Sequence, residues 1–304
     1  MKRAGKLPRH LSARAFTTAE GLDAGLSRER LRRADLEHPY RGLHAAPGIT
    51  TTIESRIVAY SLRMSRDQFF SDVTAAIILG LPLPLGLARS QLLHVCTDKP
   101  AARHGSSGVI GHHVRAGSIA VVEVRGLRVT SPVDTWCRLA SVLDLDDLIK
   151  VGDALVRRKK PLATMESLRA TVLRYAGHRG ARKLREAFDW VRPGVDSPKE
   201  TELRLLIVRA GLPEPEVNCA ITDRLGVKIA TGDLVYRLYR VLVEYDGEQH
   251  RTDEDQYHWD VDRLDRIMEA DWRVIRINKS HLRSKPASVL RKVETALRAA
   301  GWRP

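Results

Sequence analysis

The sequence predicts a mixed α+β protein of the α/β class, and three observations predict it. Runs rich in Val, Leu and Tyr at 234–239 and 241–245 read as strands. Segments at 53–64, 144–158, 164–176, 181–190 and 286–300 carry helical periodicity. The run 191–198 holds two prolines and a glycine, which marks a boundary. A length of 304 residues suits about two domains of ordinary size. The pattern divides it further, into a winged helix-turn-helix at 1–66, a central α/β region at 67–190 and a mixed sheet flanked by helices at 197–304.

Charge is unevenly placed. Residues 1–196 carry 32 Lys/Arg against 19 Asp/Glu, a net of +13, while 197–304 carry 19 against 18. Such a basic surface points to a polyanion, and duplex DNA is the expected partner. No basic amphipathic helix argues for a membrane, and the apolar run at 73–88 is too broken by Pro and Gly to span one. Cys96, Cys137 and Cys219 lie far apart, which predicts reduced thiols and a cytoplasmic protein. The first residues lack the apolar stretch of a secretory signal.

In chain order, residues 1–14 read as a basic arm. Thr17-Thr-Ala-Glu20 has the form of a capping box. Gly25 makes a turn and Ser27 caps a second helix over 28–36. A short helix, a Gly turn and an arginine-studded helix read as helix-turn-helix, and the Gly/Pro-bounded stretch 39–48 fits a wing. A helix is expected from Asp72 or Thr74 to Leu79, then strands at 91–97, 108–114 and 119–129. His104, His112 and His113 read as exposed loop histidines, since no Cys or acid stands at ligand spacing. Ser131-Pro132 and Ser197-Pro198 are helix starts, each a cap followed by Pro at the first position. On the helix after Ser197, Glu200, Leu203, Arg204 and Ile207 share a face. Further helix and strand follow at 259–270 and 273–277, and Asp260 and Arg263 lie about one turn apart.

The chemistry concentrates at 242–250. Along the second strand Val241, Val243 and Tyr245 point one way, and Leu242, Glu244 and Asp246 the other. Buried carboxylates need compensation, and hard oxygen donors select Mg²⁺ or Ca²⁺. Asp233 at the start of the neighbouring strand adds a carboxylate, and His250 follows within reach of a proton-transfer role.

An acid on a first helix, an Asp at a strand start and a Glu on the next strand resemble the PD-(D/E)xK nuclease core. Residues 197–281 are similar to the very-short-patch-repair-like domain, through Ser197-Pro-Lys-Glu200, Gly211-Leu-Pro, Gly232-Asp233, Glu244-Tyr-Asp246-Gly247, His250, Asp260, Arg263 and Trp272-Arg-Val-Ile-Arg276. Asp246 stands where the wider superfamily has lysine, and Asp271 where Gly is expected. The resemblance implies a restriction-endonuclease-like fold. In it Asp233, Glu244 and Glu200 hold Mg²⁺ or Mn²⁺, His250 is a base, Asp246 is a ligand or a partner of His250, and Asp260 and Arg263 give phosphate or structural support. Phe16-Thr-Thr-Ala-Glu, Gly25-Leu-Ser-Arg and Tyr40-Arg-Gly-Leu-His, in that order, resemble the winged-helix domain of AbiEi-type antitoxins. That likeness implies DNA contacts by Ser27, Arg28, Arg30, Arg32, Arg33 and Arg41. The expectation is a DNA-binding protein with a metal-dependent endonuclease domain. The competing expectation is a non-enzymatic regulator, an antitoxin whose cognate toxin is encoded nearby.

Overall fold

The computed structural model describes residues 6–99, 107–247 and 254–304, with side chains from 262 onward in the last stretch. Helices and three sheets make it a mixed α/β protein. Among the described residues no helix is long and apolar enough to cross a membrane. The chain divides into two compact units, 1–143 with 175–181 and 144–174 with 182–304.

The first unit opens with α1 (Arg9–Ser12), β1 (Phe16–Thr17), α2 (Thr18–Asp23) and α3 (Arg28–Leu31). The expected capping box is present: Glu20 N donates to Thr17 Oγ1 at 3.1 Å and Thr17 N to Glu20 Oε2 at 2.7 Å. Ser27 Oγ accepts from Arg30 N at 3.1 Å. Gly21 lets α2 and α3 pack closely, because a Cβ there would meet Leu31 Cδ2 at 2.9 Å. The expected helix over 28–36 stops at Leu31. Arg33 N and Leu36 N bond three residues back, a tightened turn, and Arg30 folds over to Asp35 through two 3.0 Å hydrogen bonds. In the wing stretch, β2 (Leu43–His44) pairs antiparallel with β1 and Glu37 bridges Ala45.

Next come α4 (Ile53–Ser61), β3 (Gln68–Phe70), α5 (Asp72–Ile78), α6 (Leu85–Ala88), β4 (Leu93–Thr97), β5 (Val109–His113), β6 (Val121–Val124), β7 (Leu127–Thr130) and α7 (Pro132–Leu139). The five strands order as β5-β4-β3-β7-β6. The central strand β3 is too short to signal itself in the sequence. The strand expected over 119–129 is instead a hairpin, β6 and β7. Arg125 and Gly126 take φ of 53° and 75°, the positive pair that a tight hairpin turn requires. His112 and His113 lie in strand β5, not in a loop, and His104 falls outside the described residues.

The second unit contains α8 (Leu145–Leu155), α9 (Met165–Arg174), α10 (Ala181–Trp190), α11 (Pro198–Arg209), β8 (Glu216–Thr222), β9 (Lys228–Tyr236), β10 (Val241–Asp246), α12 (Glu254–Glu269), β11 (Arg273–Asn278), α13 (Lys279–Ser284) and α14 (Pro286–Ala299). Its sheet orders β11-β10-β9-β8. Strands β8, β9 and β10 run antiparallel, and β11 returns parallel to β10 after the crossover helix α12. Val241 and Val243 pack with Leu203, Ile207 and Val293 on one face, and Leu242 packs with Val235, Ile267 and Trp272 on the other. The alternation expected for β10 is therefore what the sheet shows.

The boundary expected at 191–198 does not separate the units. Helix α8, assigned by sequence to the central region, belongs with the C-terminal sheet because Asp153 is tied to α11. Asp153 Oδ2 accepts from Arg204 Nη2 at 2.9 Å and from Thr201 Oγ1 at 2.8 Å, and Oδ1 accepts from Arg192 N at 2.7 Å. Arg204 is fully buried and also donates to Trp190 O at 2.8 Å. Removing one partner of such a pair strands the other charge. Asp153→Ala is therefore expected to lower the unfolding free energy by about 3–5 kcal/mol. Urea denaturation of the full chain checks this, and a loss under about 1 kcal/mol would contradict the role given to the pair.

Candidate active site

Strands β9 and β10 pair only through Val241–Val243 and then part. At that point a side chain replaces the missing backbone partner, as Tyr245 N donates to Asp233 Oδ2 at 2.8 Å. Gly232 is needed just before. A Cβ there would meet Leu242 Cδ1 at 2.4 Å, Ile221 Cδ1 at 3.0 Å and Val235 Cγ2 at 3.1 Å. The tight strand passage thus fixes where Asp233 begins.

Three carboxylates gather around this point. Glu200, buried in the first turn of α11, accepts through Oε2 from Asn218 Nδ2 at 2.6 Å and from Asp196 N at 3.0 Å. Glu244, also buried, is held by Arg263, which donates Nη1 to Oε2 at 3.3 Å and Nη2 to Oε1. Arg263 Nη2 is also bonded to Thr231 O at 2.9 Å. Asp233 makes no ion pair among the described residues. Burial first, and then the charges of Glu200 and Glu244, push its carboxyl up to about 7 against the Tyr245 hydrogen bond and the Arg263 charge. Asp233 Oδ1 and Glu200 Oε1 receive no hydrogen bond from the described residues.

The structure thus brings Glu200, Asp233, Glu244 and Arg263 together. Asp246 is engaged elsewhere, with its Oδ2 3.2 Å from Arg276 Nη2 on β11. His250 and the side chain of Asp260 lie outside the described residues. Asn218 was not anticipated. It falls between the pairs Val217–Leu234 and Cys219–Gly232 without pairing itself, and its φ is 46°. Asn tolerates that left-handed conformation better than most residues, and here it frees the amide to reach Glu200. Only the residue type could have hinted at it.

At the N-terminal helices, Ser27, Arg28, Arg32 and Arg41 are exposed, and Arg30 and Arg33 are half-buried. Arg30 is committed to Asp35. Arg32 caps α3 and Arg33 lies past its end, so neither sits on a continuing helix face as expected.

Comparison with known proteins is sparse. Two uncharacterized proteins of Mycobacterium tuberculosis are 23% identical over 181 residues. The match covers 60% of this chain and 65% of theirs, so the chain spans about two thirds of the length of these relatives. No family model matches the chain, and no solved structure matches it.

The environment of Asp233 makes a signed prediction for the metal-free protein. An acid with a raised folded pKa holds its proton where the unfolded chain has lost it. Its favourable contribution is complete below the ordinary value of 3.8 and is lost as pH rises through about 7. Asp233→Asn removes this titration. In chelator the variant should match wild type near pH 4 and exceed it by up to about 4 kcal/mol at pH 8. Denaturation curves across that range are the measurement, and a pH-independent difference would refute the assignment.

Proposed function

We propose that the chain is a DNA-binding protein whose C-terminal unit cuts phosphodiester bonds with Mg²⁺ or Mn²⁺. The observation that carries the reading is the convergence of Glu200, Asp233 and Glu244 from one helix and two adjacent strands. All three are carboxylates, the donor type of a hard divalent cation, and two of their oxygens have no hydrogen bond from the described residues, although the ligand oxygens of the three do not all lie within 4.8 Å of one another. When bound, the cation would polarise the phosphoryl group and acidify a water.

The remaining work falls to the chain. Asp233 and Glu200 offer open oxygens from a strand and a helix, so their positions are set before substrate arrives. Arg263 supplies the positive charge that lets Glu244 stay buried. Were Glu244 to hold a cation, Arg263, which also donates to Thr231 O, would stand beside the site with charge to offer a phosphate oxygen. His250 is the assigned base by sequence alone. Asp246, paired with Arg276, serves as support rather than as a ligand. At the other end of the chain, Ser27, Arg28, Arg32 and Arg41 are exposed for phosphate contact, in keeping with an AbiEi-type winged helix.

One observation favours the second reading, a non-enzymatic regulator. Both oxygens of Glu244 are occupied by Arg263, as in a structural ion pair. On that reading the protein acts through operator DNA and a toxin encoded nearby.

Supercoiled plasmid separates the two readings. Wild type with Mg²⁺ or Mn²⁺ should nick or linearise it, and Glu244→Gln should abolish cleavage while retaining DNA binding. If neither protein converts plasmid, or both do equally, the regulator reading replaces the enzyme. Separately, Arg32→Ala with Arg33→Ala should weaken binding to duplex DNA. The salt dependence, log K against log salt, should flatten by about one to two units. Fluorescence anisotropy over a salt series measures it, and an unchanged slope would remove these arginines from the interface.

A further inference from the structure

A second cluster lies in the five-stranded sheet of the first unit. We propose that Asp72, His94 and His112 form a binding site for a divalent transition-metal ion, with Zn²⁺ as the reference case. One ligand atom from each residue lies within 4.8 Å of the other two. Two imidazoles and one carboxylate form a donor set that suits Zn²⁺, Co²⁺ or Ni²⁺ better than Mg²⁺ or Ca²⁺.

The fold builds this geometry from three separate elements. Strands β4 and β5 run parallel with Cys96 opposite His112, so His94, two residues earlier on the same face of β4, stands diagonal to His112. Their rings stack with centroids 5.2 Å apart and 11° between planes. Asp72 is the first residue of α5 and is buried, with φ of 50°, a strained conformation for a residue bearing a side chain. The backbone of β4 is tied to both sides of it. Ser71 N donates to His94 O at 3.0 Å, and His94 N donates to Thr74 Oγ1 at 2.8 Å.

His112 Nε2 lies 2.9 Å from His94 Nδ1 and 3.5 Å from Asp72 Oδ2. One proton shared between the two rings makes a good hydrogen bond there, but it lies too far from Asp72 to serve the carboxylate as well, so a single proton does not satisfy all three groups. A cation accepts all three lone pairs at once. Arg138 holds Asp72 through Oδ2, with Nε at 3.0 Å and Nη2 at 2.6 Å, and so orients the carboxylate. Burial lowers the pKa of both imidazoles against the pull of the Asp72 charge, which favours the neutral, ligating form. Cys96 Sγ does not belong to this group of ligand atoms. The His112 side chain remains 26% exposed, which gives the ion an entry.

The test uses the full chain stripped of metal by chelation. Co²⁺ should bind at one equivalent with visible absorption bands of nitrogen ligation, and Zn²⁺ should displace it while excess Mg²⁺ does not. His94→Gln and His112→Gln should each weaken Zn²⁺ binding by more than about 100-fold, because even outer-sphere partners are worth up to roughly that factor. Glu244→Gln, in the other unit, should leave this binding unchanged, which keeps the result independent of the nuclease reading. Melting curves and circular dichroism of the metal-free variants establish that they fold. If His94→Gln does not fold, the more exposed His112→Gln carries the comparison. Absence of the Co²⁺ bands, or Zn²⁺ affinity that His112→Gln leaves intact, overturns the proposal.

Discussion

The C-terminal unit depends on a fully buried arginine. Desolvating a guanidinium costs several kcal/mol, and Arg204, whose Nη1 also lies 3.6 Å from Glu214 Oε1, recovers that chiefly through Asp153 and the Trp190 carbonyl. Those partners come from α8 and the end of α10, so three segments must be in place at once. The constraint reaches the carboxylate site. Glu200 lies one turn before Arg204 on the same helix, so the arginine that fixes the rotation of α11 also fixes the direction of Glu200. Leu203 and Ile207 meanwhile hold the helix against the sheet.

The same problem recurs elsewhere in the chain with the same solution. Asp72 is paired with Arg138 and Glu244 with Arg263, each acid buried and each answered by a guanidinium. Arginine suits this role because its donors form a planar fork and it stays charged when desolvated. Asp233 breaks the pattern. It is desolvated and flanked by two other carboxylates, without an ion-pair partner among the described residues. A desolvated acid set among like charges in this way marks a candidate site, and it does so without appeal to any likeness to nucleases.

Local features were legible in the sequence. The Thr17–Glu20 box and the caps Ser27, Ser131 and Ser197 form as read, because a cap involves residues only three apart. The alternation along β10 was legible because its two faces meet different apolar neighbours. Features set by distant partners were not. Nothing near Arg204 announces a buried charge, since Asp153 lies 51 residues away. The early end of α3 depends on Arg30 preferring Asp35 to solvent, and sequence periodicity is blind to that choice. His94, His112 and Asp72 show no ligand spacing because a parallel strand pair and a helix start bring them together. At 119–129 the Val-rich run concealed Arg125-Gly126, whose paired positive φ values turn one strand into two.

The two clusters also differ in how their backbones are prepared. Around Asp233 the preparation is an opening: the β9–β10 ladder ends, Tyr245 N turns to a carboxylate, and Asn218 leaves the β8 ladder in a left-handed conformation. Three departures from regular pairing surround one acid, and a further register shift lies at Ile221/Thr222 toward the end of β8. Around Asp72 the preparation is a clamp, in which Ser71 and Thr74 are both bonded to the backbone of His94. Strain at a single residue can be accidental, but it persists only where the surroundings over-determine it. Gly232 supplies that determination in the second unit. Any side chain there would collide with Leu242, Ile221 and Val235, so the strand stays close-packed up to the residue where it opens. Rigidity up to the edge of the site and release at Asp233 are what a carboxylate needs if it is to exchange a backbone hydrogen bond and two like-charged neighbours for a cation.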